Sequence, residues 1–220
     1  MTVLHASVLI LILIFPSVVL GQRISIDAGV DAGIPLAKSV QNPGPPITFA
    51  PAAPATVERP PFVAGPALQF NLGSEFSIEA DTLYRPVRFQ TKEMFPNFIR
   101  MQSITAYSIE VPVVGQFTFG SAKFRPTAGV GFVVYDKLWG ALDSYGFIST
   151  GQQTHVRSPY RPDDSSSAPP LVTTAGFSWM HSGFRLNPQL RYSRWAGNNV
   201  RKRNEWDILL GFTLPVFHHR

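Results

Sequence analysis

The chain has 220 residues, a formal net charge of +5 and no cysteine, and only 15% of its residues are charged. This length suits one domain, and the missing cysteines exclude a disulfide framework, thiol catalysis and a cysteine-linked lipid anchor. The charged fraction lies well below the usual quarter, which indicates that much of the surface faces something other than water.

The first segment with a distinct composition is the apolar stretch 8–20. It is too short for a comfortable transmembrane helix and has the length of a signal-peptide core. Val19 and Gly21 are small enough for a cleavage site before Gln22. We therefore predict a signal peptide over residues 1–21 and one domain over 22–220. A retained N-terminal anchor helix is the alternative, because the start of the chain has His5 but no Lys or Arg.

Eight later segments alternate strictly between apolar and polar residues, which is typical of β-strands with one face of each kind. In chain order they are residues 24–33, 62–72, 76–84, 105–119, 124–134, 171–179, 184–192 and 206–216. Pro66 is unexpected in a central strand because it removes a ladder hydrogen bond. The connections between these strands alternate between long and short.

The short connections are tight turns at 73–75, 120–123 and 181–183. Two of the long ones have the composition of loops: the Pro-rich segment 38–61 and the segment 136–170, which contains PDDSSSAPP. The segment from 85 to 104 is also predicted to be a loop. An even number of strands with alternating loop lengths indicates an up-and-down meander, and closing it into a barrel removes both edges.

The distribution of lysines and aromatic residues indicates which face is inside. All five lysines (Lys38, Lys92, Lys123, Lys137, Lys202) fall in predicted loops or at strand ends. Aromatic residues mark the apolar face near the short turns (Phe70, Phe76, Phe119, Phe124, Trp179, Phe184) and near the long loops (Phe62, Tyr84, Tyr107, Tyr192, Trp206). Two such girdles are typical of membrane barrels. The apolar face is thus predicted to meet lipid; a soluble lipocalin-like barrel would instead hide it.

Strands such as FVAGPALQF, RPTAGVGF, RLNPQLRYSRW and the closing ILLGFTL resemble those of small eight-stranded bacterial outer-membrane β-barrel proteins of the OmpA/OmpX type. The resemblance covers most of residues 24–217. It implies an all-β fold: an eight-stranded antiparallel up-and-down transmembrane β-barrel. The chain departs from it in running past Phe217 to His218–Arg220, and Pro215 is expected to interrupt the last strand.

Charged residues on the polar faces are predicted to form an ion-pair network inside the barrel, because charges in a low-dielectric interior must be paired. The predicted members are Asp27, Asp31, Glu79, Asp81, Glu110, Arg125, Arg185, Arg191, Glu205 and Asp207. A path for ions or polar solutes is the alternative. Side chains can fill an interior of eight strands, so a closed interior is expected.

Catalytic, cofactor-binding and metal-binding sites are not expected. His181–Ser182 lies in a short turn, and His155 shares only a Ser-rich loop with Asp163, Asp164 and Ser165. His218–His219 has no third ligand nearby in sequence. The basic run 201–203 is interpreted as solvated loop charge, with contact to anionic lipid head groups as the alternative. It lacks the interleaved aromatics of a nucleic-acid platform, so no nucleic-acid partner is expected.

The sequence therefore predicts a non-enzymatic, monomeric outer-membrane protein with surface-exposed loops that serve envelope integrity or surface interaction. Its expected partners are the lipid bilayer, lipopolysaccharide and the outer-membrane assembly machinery. Alternatives from other classes are an outer-membrane enzyme that modifies lipid A acyl chains and a soluble ligand-binding barrel.

Overall fold

The computed structural model describes residues 24–36, 56–57, 62–95, 98–120, 123–148, 150–160, 169–181, 183–195 and 204–218. The predicted signal peptide and most of the Pro-rich segment 38–61 lie outside these ranges. The described strands are β1 (Ile24–Pro35), β2 (Thr56–Val57), β3 (Val63–Leu72), β4 (Phe76–Asp81), β5 (Leu83–Phe95), β6 (Phe98–Thr118), β7 (Phe124–Ile148), β8 (Gln153–Tyr160), β9 (Leu171–His181), β10 (Phe184–Arg194) and β11 (Asn204–His218).

The strands close into an antiparallel ring. β1 pairs with both β3 and β11, and the sheet continues from β3 through β4, β6, β7, β9 and β10 back to β11. β4 and β5 follow each other across Thr82 and together act as one strand between β3 and β6, so the ring has eight strand positions. The predicted up-and-down barrel is confirmed.

Burial confirms the predicted orientation of the two faces. Asp81 and Arg191 are 1% and 2% exposed, whereas Phe132 and Leu210 are 52% and 53% exposed. The alternation along each strand therefore places charge inside the ring and hydrocarbon outside it. The soluble lipocalin-like alternative is wrong, because it requires the opposite arrangement.

Tight turns close the predicted short connections. Gly73, Gly120 and Gly183 lie in them with φ values of 83°, 80° and 91°, a left-handed region that glycine adopts without a Cβ penalty. Two bulges adjust the register: Val134 is the extra residue between β7 and β6, and Val216 the extra residue between β11 and β1. β11 thus continues past Pro215, and the predicted interruption there is wrong. Pro66 also lies within a strand: it belongs to β3 and is paired with Val30 of β1.

Two segments predicted to be loops are β-structure. Residues 85–95 and 98–104 belong to the paired strands β5 and β6, and residues 136–148 continue β7, with β8 pairing against its far end. We call the β-structure beyond the ring the extension; it consists of residues 86–95, 98–108, 138–148, 153–160 and 56–57. Its inner face holds a small apolar cluster formed by Val87, Ile104, Ala106 and Leu138, with Leu142 and Tyr160 packed against it.

Both aromatic girdles are present on the outside of the ring. At the extension side, Tyr84 stacks on Tyr107 with ring centroids 5.8 Å apart, and Tyr107 lies 6.5 Å from Trp139. At the short-turn side, Trp179 and Phe184 meet edge to face at 5.9 Å. Within the described residues, no helix is long and apolar enough to cross a membrane.

Candidate functional site: the charged interior of the ring

The candidate site is the set of charged side chains that the strands direct into the ring. Inward positions recur at every second residue. Along β4 and β5 these positions hold Glu79, Asp81, Leu83 and Arg85, in that order. Opposite them, β10 contributes Arg191, and β11 contributes Glu205 and Asp207. The charged residues form three groups, each around one arginine.

The first group surrounds Arg191. Its Nη2 is ion-paired with Asp81, with Glu79 at 3.2 Å and with Asp31 at 3.8 Å. Gln189 donates from Nε2 to Asp31 at 3.3 Å and to Glu79 at 3.2 Å, and Gln116 donates to Glu79 at 2.9 Å. One guanidinium and two amides therefore share three buried carboxylates.

Those three carboxylates also have the spacing of a metal site, with ligand oxygens within 4.8 Å of one another. Asp31, Glu79 and Asp81 are all ion-paired with Arg191, which already places a positive charge among them. This arrangement accounts for the group as an ion-pair cluster. No metal is assigned to it.

The second group surrounds Arg85, which was not among the predicted site residues. Its guanidinium donates two parallel hydrogen bonds to Asp207, at 3.0 and 2.9 Å, a bidentate geometry that suits planar Arg–carboxylate pairs. Glu110 lies 3.3 Å from its Nε, and Glu205 lies 4.0 Å from its Nη2. Arg85 is separated from Glu79 and Asp81 by an even number of positions, so it lies on the same inward face. This spacing is the sequence signal that identifies Arg85 as a member of the interior.

The third group is near the short turns. Arg185 lies 3.2 Å from Asp27 and donates to Asn71 Oδ1 at 2.9 Å. Arg125, also predicted as a member, does not join a carboxylate among the described residues. It donates instead to the Ser74 carbonyl and to Met180 Sδ, both at 2.9 Å.

Aliphatic side chains separate the Arg191 and Arg85 groups. Leu83 lies between Asp81 and Arg85 in sequence, and it clusters across the interior with Val63 and Leu209. On the other side of the ring, a second buried cluster contains Val114, Val133, Val172 and Trp195. The fit is close enough that a Cβ at Gly211 would lie 2.6 Å from Asp31 Oδ1. The interior is therefore filled in layers of alternating polarity.

Of the histidines considered for catalysis or metal binding, His155 belongs to β8 of the extension. His155 lies 3.2 Å from Asp143 in the extension and stacks on Tyr145 with ring centroids 4.4 Å apart. Ser182, Asp163, Asp164, Ser165 and His219 lie outside the described residues.

No family model matches the sequence, and a search of curated proteins finds no significant match. Three solved structures are similar in fold. The outer membrane protein OprG from Pseudomonas aeruginosa is 14% identical, with a TM-score of 0.45 over 90% of this chain and 97% of that one. Neisserial surface protein A is 10% identical, with a TM-score of 0.39 over 87% and 95% of the two chains.

The third is Ail, the attachment invasion locus protein of Yersinia pestis, solved with the heparin analogue sucrose octasulfate. It is 13% identical, with a TM-score of 0.36 over 87% of this chain and 98% of that one. All three TM-scores are below 0.5, so the fold assignment depends on the closed ring and on its burial pattern. At that level of architecture, the resemblance to small outer-membrane barrels is confirmed.

Proposed function

We propose that this chain is a non-enzymatic bacterial outer-membrane protein, exported by a cleaved signal peptide. The ring anchors it in the bilayer, and the extension and long loops present a surface outside the cell. Its role is that of a membrane-embedded scaffold for envelope integrity or surface interaction, with the lipid bilayer as its first partner.

One observation carries the proposal: the largest fully buried side chains are the arginines Arg85 and Arg191, while large apolar side chains cover the outside. Val130 is 57% exposed and Leu214 46% exposed, and they belong to a continuous series on the outward face. Such a surface is stable against hydrocarbon, and it is a strong aggregation liability in water.

The orientation follows from the difference between the two ends. Membrane barrels of this kind have short turns on the periplasmic side and longer loops outside. The turns at Gly73, Gly120 and Gly183 then face the periplasm, and the extension faces the exterior. Lipopolysaccharide is the proposed outer partner, because Arg88, Lys137 and Arg157 are exposed beyond or beside the outer aromatic girdle. Insertion requires the outer-membrane assembly machinery, and closure of the ring within one chain suits a monomer.

Protease treatment of intact cells tests the placement. Trypsin is expected to cut at Arg157, which is 70% exposed in the extension, and to cut at Lys123, in a short turn, only after the outer membrane is permeabilised. Arg157→Gln is the control that removes the first site. Cleavage at Lys123 in intact cells, or recovery of the protein without detergent, would contradict the proposal.

Conductance measurements test the closed interior. The layered packing predicts no steady single-channel openings in planar bilayers. Openings that persist at fixed voltage would show that the charged groups line a solute path.

A further inference from the structure

A methionine lines the cavity of about 360 Å³ that lies inside the ring at its short-turn end. Met180 is close to the end of β9, next to the turn that leads into β10, and it occupies an inward position of the strand. Its side chain is nevertheless 43% exposed. Small solutes in the surrounding water therefore reach this methionine without any opening of the barrel.

The sulfur of Met180 accepts a hydrogen bond from a cation. Arg125 of β7 donates from Nη2 to Met180 Sδ at 2.9 Å, and from Nη1 to the Ser74 carbonyl at 2.9 Å. A thioether sulfur is a weak acceptor, whereas a guanidinium forms strong, charge-assisted hydrogen bonds with oxygen. The strong donor therefore meets an acceptor that uses little of its strength, and an oxygen in the place of the sulfur lone pair would bind it better.

We propose that Met180 is a site of reversible oxidation by peroxides and that Arg125 binds the oxygen of the resulting sulfoxide. A lone pair of the sulfur attacks one peroxide oxygen, so that an S–O bond forms while the O–O bond breaks. The sulfur loses two electrons. The other peroxide oxygen takes the proton of the first and leaves as water or as an alcohol. Sulfoxide reductases restore the thioether, with thiols as the reductant and water as the second product.

The oxidised side chain suits this cavity. Because the guanidinium of Arg125 already contacts the sulfur, the new oxygen lies within its reach. The exposure of Met180 avoids the cost of burying a polar group, which oxidation imposes on a methionine inside a core. The sulfoxide is also neutral, and the wall contains two arginines together with two acids (Arg125, Arg185, Asp27, Glu75). Oxidation therefore tightens the link that Arg125 makes between β9 and the turn after β3.

Met101 is a matched control within the same chain. It is 42% exposed, close to the 43% of Met180, but it points outward from β6 in the extension. Of the two methionine side chains that the structure describes, only Met180 accepts a hydrogen bond at its sulfur. Met94, Met101 and Met180 fall on different tryptic peptides, so mass spectrometry measures the oxidation of each separately.

The test uses the folded full barrel in detergent micelles, labelled with ¹⁵N and treated with hydrogen peroxide. We expect a sulfoxide at both Met101 and Met180 and a shift of the Arg125 Nε–Hε signal. Exchange of the Arg125 guanidinium protons with water should slow at least about threefold, because the sulfoxide oxygen is the stronger acceptor. The proposal is overturned if Met180 stays reduced while Met101 is oxidised, or if the Arg125 signal and exchange rate do not change when Met180 is oxidised.

Three variants make the result specific. Met180→Leu removes the sulfur and should abolish the response of Arg125 to peroxide, whereas Met101→Leu should leave that response unchanged. Met180→Gln supplies an amide oxygen without any oxidant and should slow the exchange of the Arg125 guanidinium protons as oxidation does. It also serves if the peroxide-treated barrel does not stay folded. A response that persists in Met180→Leu, or unchanged Arg125 exchange in Met180→Gln, would overturn the proposal.

Discussion

Strands β5 and β6 run from the ring into the extension with unchanged inward and outward parity, and β7 does so after the one-residue shift at its Val134 bulge, but the chemistry of the two faces changes. In the ring, the inward positions carry Glu79, Asp81 and Glu110, and the outward positions are apolar. In the extension, the inward positions carry the apolar cluster around Val87 and Leu138, whereas Arg88 and Asp143 point outward.

A change of solvent explains the reversal. Outside the ring, hydrocarbon accepts apolar side chains and charge must go inside; outside the extension, water accepts charge and apolar side chains pack together. The row that contains Pro86, Tyr107 and Trp139 marks the crossing. Interfacial aromatic residues are expected at this depth. Four predictions test whether the change of solvent lies at this row.

Replacing the central arginine of the ring should have the largest effect. Arg191→Met leaves Asp31, Glu79 and Asp81 buried without their cation, which should lower the free energy of unfolding by about 3–5 kcal/mol. Urea unfolding of the barrel in lipid vesicles measures it. Arg157→Met, in the exposed face of the extension, is the control and should change stability by less than about 0.5 kcal/mol. Equal stability of the two variants would show that water reaches the Arg191 group.

Charge placed on the outward face should distinguish lipid from water directly. Leu210 lies midway along β11 and faces out, so Leu210→Arg should lower the free energy of unfolding by about 2–4 kcal/mol in vesicles. Thr105→Arg, outward in the extension, should change it by less than about 0.5 kcal/mol. If the order of the two effects is reversed, the crossing is not at the Tyr107 row.

Loss of apolar volume inside the extension should weaken it without unfolding the ring. Leu138→Ala removes part of a small buried cluster, and we expect a local cost of about 2 kcal/mol. Hydrogen exchange should report faster opening of β7 and β8 beyond Leu138 and unchanged protection of β10 and β11. Leu190→Ala, on the lipid face of β10, is the control, since it leaves no internal cavity. Equal exchange in the two variants would mean that the extension has no core of its own.

The same reversal explains how much of this structure could be predicted from the sequence. Strict alternation located the ring strands because apolar and polar positions there face two uniform environments. In the extension, apolar and polar residues do not alternate strictly, and Pro86, Gly140 and Gly146 interrupt the pattern, so the sequence of residues 85–104 and 136–148 predicts loops. Lys92 and Lys137 are predicted to lie in loops or at strand ends, but the structure places them within β5 and β7.

The composition of the interior could be predicted, whereas its pairing could not. Parity identifies which residues point inward, but the partner of each charge depends on the stagger of the closed ring, including the bulges at Val134 and Val216. Arg85 is absent from the predicted network because its segment is predicted to be a loop, and the prediction therefore lacks the cation that Glu110, Glu205 and Asp207 share.

The smallest effect is expected for the exposed contact between His155 and Asp143 on the outward face of the extension, which is an ion pair only when the imidazole is protonated. His155 lies 3.2 Å from Asp143, and their side chains are 50% and 24% exposed, so water competes for both partners. A double-mutant cycle with His155→Ala and Asp143→Asn should give a coupling of about 0.2–1 kcal/mol, well below the cost of Arg191→Met. Because Debye screening weakens exposed pairs, the coupling should fall further in about 1 M salt. A coupling above about 2 kcal/mol that salt does not weaken would place this face out of water. The crossing would then have to lie farther along β7 than Trp139.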